Sequence, residues 1–130
     1  MSAKNSAVVL GNGTSRRQFD LAAIHRVATT YGCNAIHRDF APHYLVAMDW
    51  NMVDEIIQAR AFERSKFYTQ HEGKTDRIVL EQRLPIHFVT SQPETVDSGN
   101  SAVRLAAENQ HPAIYLVGFD YMQGQTLSKV

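Results

Sequence analysis

Residues 11–16 read Gly-Asn-Gly-Thr-Ser-Arg and follow a short apolar stretch. Two glycines let a backbone approach a ligand closely, and successive N–H groups of such a loop can bind an anion. A serine hydroxyl and the fixed fork of an arginine would add donors. A tight strand-to-helix turn without a ligand is the alternative, although the asparagine, serine and arginine favour a ligand. The predicted binding residues are Gly11, Asn12, Gly13, Thr14, Ser15 and Arg16.

Two common phosphate-binding patterns do not fit this loop. No Gly-Lys-Ser/Thr follows it, so it is not a P-loop. A dinucleotide fingerprint would need a third glycine where Arg16 stands and an acidic residue near Asn34 to hold a ribose. The pattern therefore argues against NAD.

Two further loops carry polar groups at predicted element ends. Asn34 follows the second apolar stretch and could pair with a base or a ribose; a strand-end turn is the alternative. A Ser-Gly-Asn-Ser run opens a predicted helix, whose free N–H groups and dipole favour anions. Ordinary N-capping by one of the two serines is the alternative. The residues of this run are Ser98, Gly99, Asn100 and Ser101.

Two side chains could perform acid–base or metal chemistry. Asp49 ends the third predicted strand, where a carboxylate could bind a ribose hydroxyl, hold a divalent ion or cap a helix. His37 is a candidate general base, with a loop histidine of no catalytic role as the alternative. No His-Glu-x-x-His or comparable spacing predicts a dedicated metal site. Cys33 is expected to be a small buried residue rather than a nucleophile.

The elements that would position these residues follow from the apolar pattern. Helices are predicted to begin at Asp20, at Asp49 or Asn51, and between Ser98 and Ser101, and a polar turn is predicted over His71–Asp76. The alternation predicts a doubly wound, mostly parallel sheet with helices on both faces, a Rossmann-like single three-layer domain over residues 1–130. The predicted strands are Ala7–Leu10, Tyr31–Ile36, Tyr44–Met48, Lys66–Gln70, Ile78–Leu80, Ile86–Val89 and a buried last strand at Ala113–Val117.

Composition limits the partners. The chain has 130 residues with 13 Lys and Arg against 13 Asp and Glu, and this zero balance argues against a nucleic-acid partner. The single cysteine, Cys33, excludes an internal disulfide. No stretch is long enough to cross a bilayer and the N-terminal apolar run is too short for a signal peptide, so we expect a cytoplasmic protein without a membrane partner.

Five motifs occur in a fixed order. They are Val-Val-Leu-Gly-Asn-Gly-Thr-Ser at 8–15, Gly-Cys-Asn-Ala at 32–35, Tyr-Leu-Val-Ala-Met-Asp at 44–49, Ser-Gly-Asn-Ser-Ala at 98–102 and Ile-Tyr-Leu-Val-Gly-Phe-Asp at 114–120. This order resembles the core of the sialyltransferase-like Rossmann group. That group includes bacterial sialyltransferases that use CMP-sialic acid, motility-accessory glycosyltransferases and archaeal 6-hydroxymethylpterin diphosphokinases.

The resemblance implies roles for several residues. Gly11, Asn12 and Gly13 match the group's nucleotide-binding glycine motif, and Asn34 matches an asparagine that contacts the nucleotide. Similarly, Ser98 and Gly99 match a loop near the ribose and phosphate, and Asp120 matches an acidic residue whose role is unassigned. The sialyltransferases carry a lid-like segment with a catalytic histidine after the last motif, whereas no histidine follows His111 here.

The expected function is therefore binding of a nucleotide or nucleotide sugar, with transfer of a group at an activated phosphate as the expected reaction if the protein is an enzyme. One alternative is a non-catalytic protein that sequesters or senses a nucleotide. Another is a diphosphokinase, which would need Mg²⁺ held by a residue such as Asp49. A second copy of the chain could complete the site, so the sequence allows a homo-oligomer.

Overall fold

A parallel sheet is the centre of the computed structural model, which describes residues 5–90 and 97–120. Within those residues the sheet has six strands in the order β5-β4-β3-β2-β1-β6, and every neighbouring pair is parallel. The strands are β1 (Ala7–Leu10), β2 (Thr29–Cys33), β3 (Tyr44–Val46), β4 (Lys66–Thr69), β5 (His87–Phe88) and β6 (Ile114–Val117). The helices are α1 (Leu21–Val27), α2 (Trp50–Gln58), α3 (Gly73–Gln82) and α4 (Ser98–Glu108), and short 3-10 helices cover Thr14–Gln18, Asn34–Arg38 and Ala61–Glu63.

The order of the strands reverses beside β1. The chain moves outward strand by strand from β1 to β5, and the segment that contains α4 then returns it so that β6 pairs with the other side of β1. In open parallel sheets, ligands bind beyond the carboxyl ends of the strands at such a reversal. The loops after β1 and β6 therefore border the expected binding crevice.

Alternating side chains of the strands build two apolar cores. Leu10, Leu45 and Phe67 belong to the core that packs against α1, α2 and α3. Val9 and Tyr31 point the other way and belong to the core beneath α4. This arrangement confirms the predicted doubly wound parallel sheet with helices on both faces. The single domain predicted for residues 1–130 includes residues outside the described ranges and stays a prediction.

One predicted strand is wrong. Ile78–Leu80 lies inside α3, and the polar turn predicted at His71–Asp76 contains the first turn of that helix. The carboxylate of Glu72 caps the helix by accepting hydrogen bonds from two backbone N–H groups, at 2.7 and 3.0 Å. A run of three apolar residues fits a helix as well as a strand, so the run alone does not identify the element. The capping hydrogen bonds of Glu72 are specific to the start of a helix.

Two other strands differ from their predicted form. The strand predicted at Tyr31–Ile36 begins two residues earlier, at Thr29. It ends at Cys33, because Asn34 adopts a left-handed φ of 55° and starts a 3-10 helix. The last strand is not buried: β6 forms an edge of the described sheet, with Tyr115 58% and Leu116 55% exposed. Among the described residues, no helix combines the length and apolar character needed to span a membrane.

Candidate functional site

The glycine loop after β1 packs closely against the end of β6. The Gly11 N–H donates to the carbonyl of Val117 and the Gly13 N–H to the carbonyl of Gly118, both at 2.7 Å. A Cβ on Gly11 would overlap the Gly118 carbonyl, and Gly118 itself has a left-handed φ of 80°. The glycines thus permit a close approach, but the approach is to β6, and these two N–H groups are already paired within the protein.

Asp120 accepts hydrogen bonds from groups of the glycine loop that the sequence predicted to bind an anionic ligand. Its carboxylate accepts hydrogen bonds from the Thr14 hydroxyl at 3.2 Å, the Ser15 hydroxyl at 3.1 Å and the Ser15 backbone N–H at 3.3 Å. Burial acts to raise the pKa of Asp120, but the hydrogen bonds from Ser15 and Thr14 outweigh it and hold that pKa below its usual range. A Cβ on Gly13 would overlap this carboxylate. The loop and Asp120 are therefore built to fit one another.

Two asparagines connect the glycine loop to the end of β2. The Asn12 side-chain amide donates to the carbonyl of Cys33 at 2.8 Å, and Asn34 follows in its left-handed conformation. A non-glycine residue in that conformation is uncommon and is found preferentially at functional sites. Burial, followed by the charge of Asp97, raises the pKa of the Cys33 thiol to about 11. Cys33 is buried, as predicted, and its raised pKa disfavours the reactive thiolate.

The start of α4 is organised by a residue that sequence reasoning missed. Asp97 is the N-cap, and its carboxylate accepts the Asn100 backbone N–H at 2.8 Å. The Ser98 hydroxyl instead accepts the backbone N–H of Met48 at 3.1 Å, which joins α4 to the end of β3. The available signal was an aspartate directly before the first helical residue, a preferred N-cap type. A carboxylate at this helix end makes it less attractive to a free anion.

These loops enclose a cavity of about 560 Å³ at the carboxyl edge of the sheet. Its lining contains two carboxylates and, among the described residues, no lysine, arginine or histidine. The cavity therefore favours groups that donate hydrogen bonds, such as sugar hydroxyls, over a bare phosphate. The lining residues are Gly11, Asn12, Gly13, Thr14, Cys33, Asn34, Asp97, Gly99, Phe119 and Asp120.

Several predicted site residues lie outside this cavity. Ser15 contacts Asp120 without lining the cavity, and Arg16 lies beside Asp39. Asp49 is exposed and precedes α2 without a side-chain capping bond. Of the Ser-Gly-Asn-Ser run, the structure brings only Gly99 into the lining. The other three do not line it: Ser98 and Ser101 are buried and Asn100 is exposed.

His37 belongs to a hydrogen-bond network around Glu55 and does not line the cavity. Its Nε2 lies 2.6 Å from a carboxylate oxygen of Glu55, and Arg38 binds the same carboxylate through two contacts of 2.6 and 2.7 Å. The hydrogen bond from Arg38 is the main reason that the pKa of Glu55 is lowered to about 2. These contacts attach the Asn34–Arg38 turn to α2 and give His37 a structural role. Its role as a general base stays a prediction.

Comparison with known proteins supports the fold. No protein-family model matches this sequence, and the curated proteins contain no match. Among solved structures, the X-ray structure of a mutant of the α-2,3/8-sialyltransferase CstII matches with a TM-score of 0.59 and 14% sequence identity. The match covers 89% of this chain and 66% of that chain. At this identity the likeness shows a shared fold, that of a sialyltransferase core, and the chain spans about two thirds of that protein's length.

Proposed function

We propose that the cavity at the strand-order reversal binds a nucleotide or nucleotide sugar. The observation that carries this proposal is the position of a 560 Å³ cavity at the carboxyl ends of β1, β2 and β6, where the strand order reverses. Its volume is within the range of about 300–1,000 Å³ typical of small-molecule sites. The fold likeness to a sialyltransferase supports the same choice of ligand.

The lining chemistry suits the nucleoside part of such a ligand. Asp97 and Asp120 present carboxylate oxygens, which accept hydrogen bonds from ribose hydroxyls. Asn34 lines the cavity and offers both a donor and an acceptor for a base edge. The Phe119 ring adds an apolar wall. The phosphates of the ligand would extend out of this acidic cavity.

A non-catalytic, sequestering or sensing role is the second candidate. In the described lining, the groups able to accept a proton are the two carboxylates, and both are engaged. Asp120 accepts three hydrogen bonds and Asp97 caps α4. Hydrogen bonds to a carboxylate make it a weaker general base, which favours a binding role. Turnover of CMP-sialic acid, measured as release of CMP, separates a transferase from a binding protein.

The diphosphokinase alternative requires Mg²⁺, and the predicted ligand of that ion lies apart from the cavity. Asp49 is exposed and outside the cavity lining. Over the described ranges, no group of three or more histidine, cysteine or acidic side chains is placed to hold a metal. A bound nucleotide would have to supply further ligands beside Asp97 and Asp120. We therefore expect nucleotide binding to be measurable with and without Mg²⁺.

The test is a thermal-shift panel of CMP, CDP, UDP, CMP-sialic acid, a GDP-sugar, ATP and a pterin, with and without Mg²⁺. A ligand at about 100 times its dissociation constant stabilises the fold by roughly 2.7 kcal/mol. Asn34→Gly removes the amide while keeping the left-handed backbone accessible, and it should abolish the shift. The matched control is Gln110→Gly, because Gln110 is an exposed amide residue with a φ of 62° outside the cavity. No shift with any ligand, from folded protein, would overturn the proposal.

A further inference from the structure

A second, smaller cavity of about 270 Å³ lies beside the first. Both cavities share Asn12, Gly13 and Thr14 in their linings, so the glycine loop borders each of them. The second cavity is otherwise formed by Arg16, Arg17, Phe19, Leu21 and Asp39. A ligand that crosses the loop could occupy both.

The two cavities differ in charge. The lining of the second has two arginines and one aspartate, whereas the first has two aspartates and no cation in the described part of the chain. Phe19 adds an aromatic side chain that is 48% exposed. The second cavity thus combines a net positive charge with an apolar surface, the features that suit an anionic group on an organic ligand.

Among the described residues, Arg16 forms one ion pair, and that ion pair is loose. Its side chain is only 16% exposed, yet its ion-pair partner Asp39 lies 3.7 Å away and is 67% exposed. That distance is longer than a hydrogen bond. A guanidinium has five N–H donors, and buried charged groups are normally paired and hydrogen-bonded. The base of the Arg16 side chain lies close to Gly118, because a Cβ built on that glycine would be 3.0 Å from the Arg16 Cβ.

We propose that the second cavity is a subsite for a carboxylate or phosphate group, bound by the Arg16 guanidinium with Arg17 at its rim. The inference rests on the proposed function only in assigning the rest of the ligand to the first cavity. The anion has two sources: a phosphate that extends from the nucleotide, or an acidic second substrate. Either source explains why a cavity suited to a nucleoside has its cations on the other side of the glycine loop.

The test is calorimetric titration of the protein with inorganic pyrophosphate. Arg16→Gln should weaken binding at least tenfold, and Asp39→Asn should strengthen it several-fold by removing the competing carboxylate. Arg77→Gln is the matched control, since it removes the same charge from an exposed position on α3. Equal affinities in the wild type, Arg16→Gln and Asp39→Asn would overturn the inference. The two site variants act in opposite directions, so a general loss of folding cannot imitate the expected result.

Cytidine and CDP distinguish the sources. If the anion extends from the nucleotide, CDP competes with pyrophosphate and loses affinity in Arg16→Gln, whereas cytidine binding is unchanged. If it belongs to a second molecule, pyrophosphate still binds when CDP is saturating. Arg16-dependent pyrophosphate binding in a protein that binds no nucleotide would support the subsite while contradicting the proposed function. If the protein binds a nucleotide but Arg16→Gln leaves pyrophosphate binding unchanged, the proposed function is supported and the anion subsite is contradicted.

Discussion

Replacing Gly13 by alanine tests whether the loop and Asp120 form one unit. A Cβ at this position would overlap the Asp120 carboxylate and lie 2.7 Å from the Gly118 carbonyl oxygen. The backbone oxygen accepts the Gly13 N–H directly after β6, so it cannot move without disturbing that hydrogen bond. The carboxylate must therefore leave its three donors on Thr14 and Ser15.

The structure gives the size of this effect. Forced overpacking costs about 1–3 kcal/mol. The three lost hydrogen bonds are 3.1–3.3 Å long and partly exposed, so together they contribute about 1–2 kcal/mol, near the low end of the usual range per bond. Gly13→Ala should thus lower the free energy of unfolding by about 2–5 kcal/mol, and Asp120→Ala by less, because it removes the hydrogen bonds without overpacking.

The assay is urea denaturation of the wild type, both single variants and the double variant. In the double variant the carboxylate is absent. The loss of unfolding free energy caused by Gly13→Ala should therefore be about 1–2 kcal/mol smaller in the Asp120→Ala background than in the wild type. Gly73→Ala is the control, because a Cβ on Gly73 would meet nothing within 4 Å, and it should change stability by no more than about 0.5 kcal/mol. Additive single effects, or a Gly13→Ala variant as stable as Gly73→Ala, would refute the reasoning.

Two further predictions follow from titratable groups whose pKa the fold shifts. Burial and then the charge of His25, whose ring stacks on His43 at 3.7 Å, lower the pKa of His43, so the folded state binds fewer protons than the unfolded one. The contribution of His43 to the free energy of unfolding should be fully present above about pH 6.5 and should fall as the pH drops through that value. Urea midpoints at pH 7.5 and 5.5 test this expectation, and His43→Phe should reduce the difference between them. Equal midpoints in the wild type would contradict it. The Cys33 thiol, with a pKa of about 11, should react with iodoacetamide at pH 8 at least tenfold more slowly in folded than in urea-unfolded protein, and equal rates would contradict the burial of this thiol.

The fold was largely predictable because its signals are local. Short apolar runs bounded by glycine and polar residues marked most strands, and Asp20 caps α1 by accepting the Ala23 N–H at 3.1 Å. The error at Ile78–Leu80 arose where a short apolar run had no unambiguous period. The exposed position of β6 could not be predicted, since its sequence is as apolar as that of a buried strand.

The candidate site was predictable as a set of loops but not as a set of contacts. Parallel strands bring their carboxyl ends to one edge, so the sequence determined that the loops after β1 and β2 and the start of α4 would meet there. It could not determine which side chains are satisfied within the protein. His37 is held by Glu55, which lies 18 residues away along the chain.

Asp120 shows the same limit over a longer distance. It contacts Ser15 across a separation of 105 residues, and only the pairing of β6 with β1 brings the two together. The sequence by itself determined the sheet, its helical layers and the edge at which a ligand would bind, because apolar periodicity and glycine positions act locally. Tertiary structure alone decided that the glycine loop holds a carboxylate of its own chain and that acidic and basic groups line separate cavities. Charge pairing depends on distances in space, and residue order along the chain does not fix those distances.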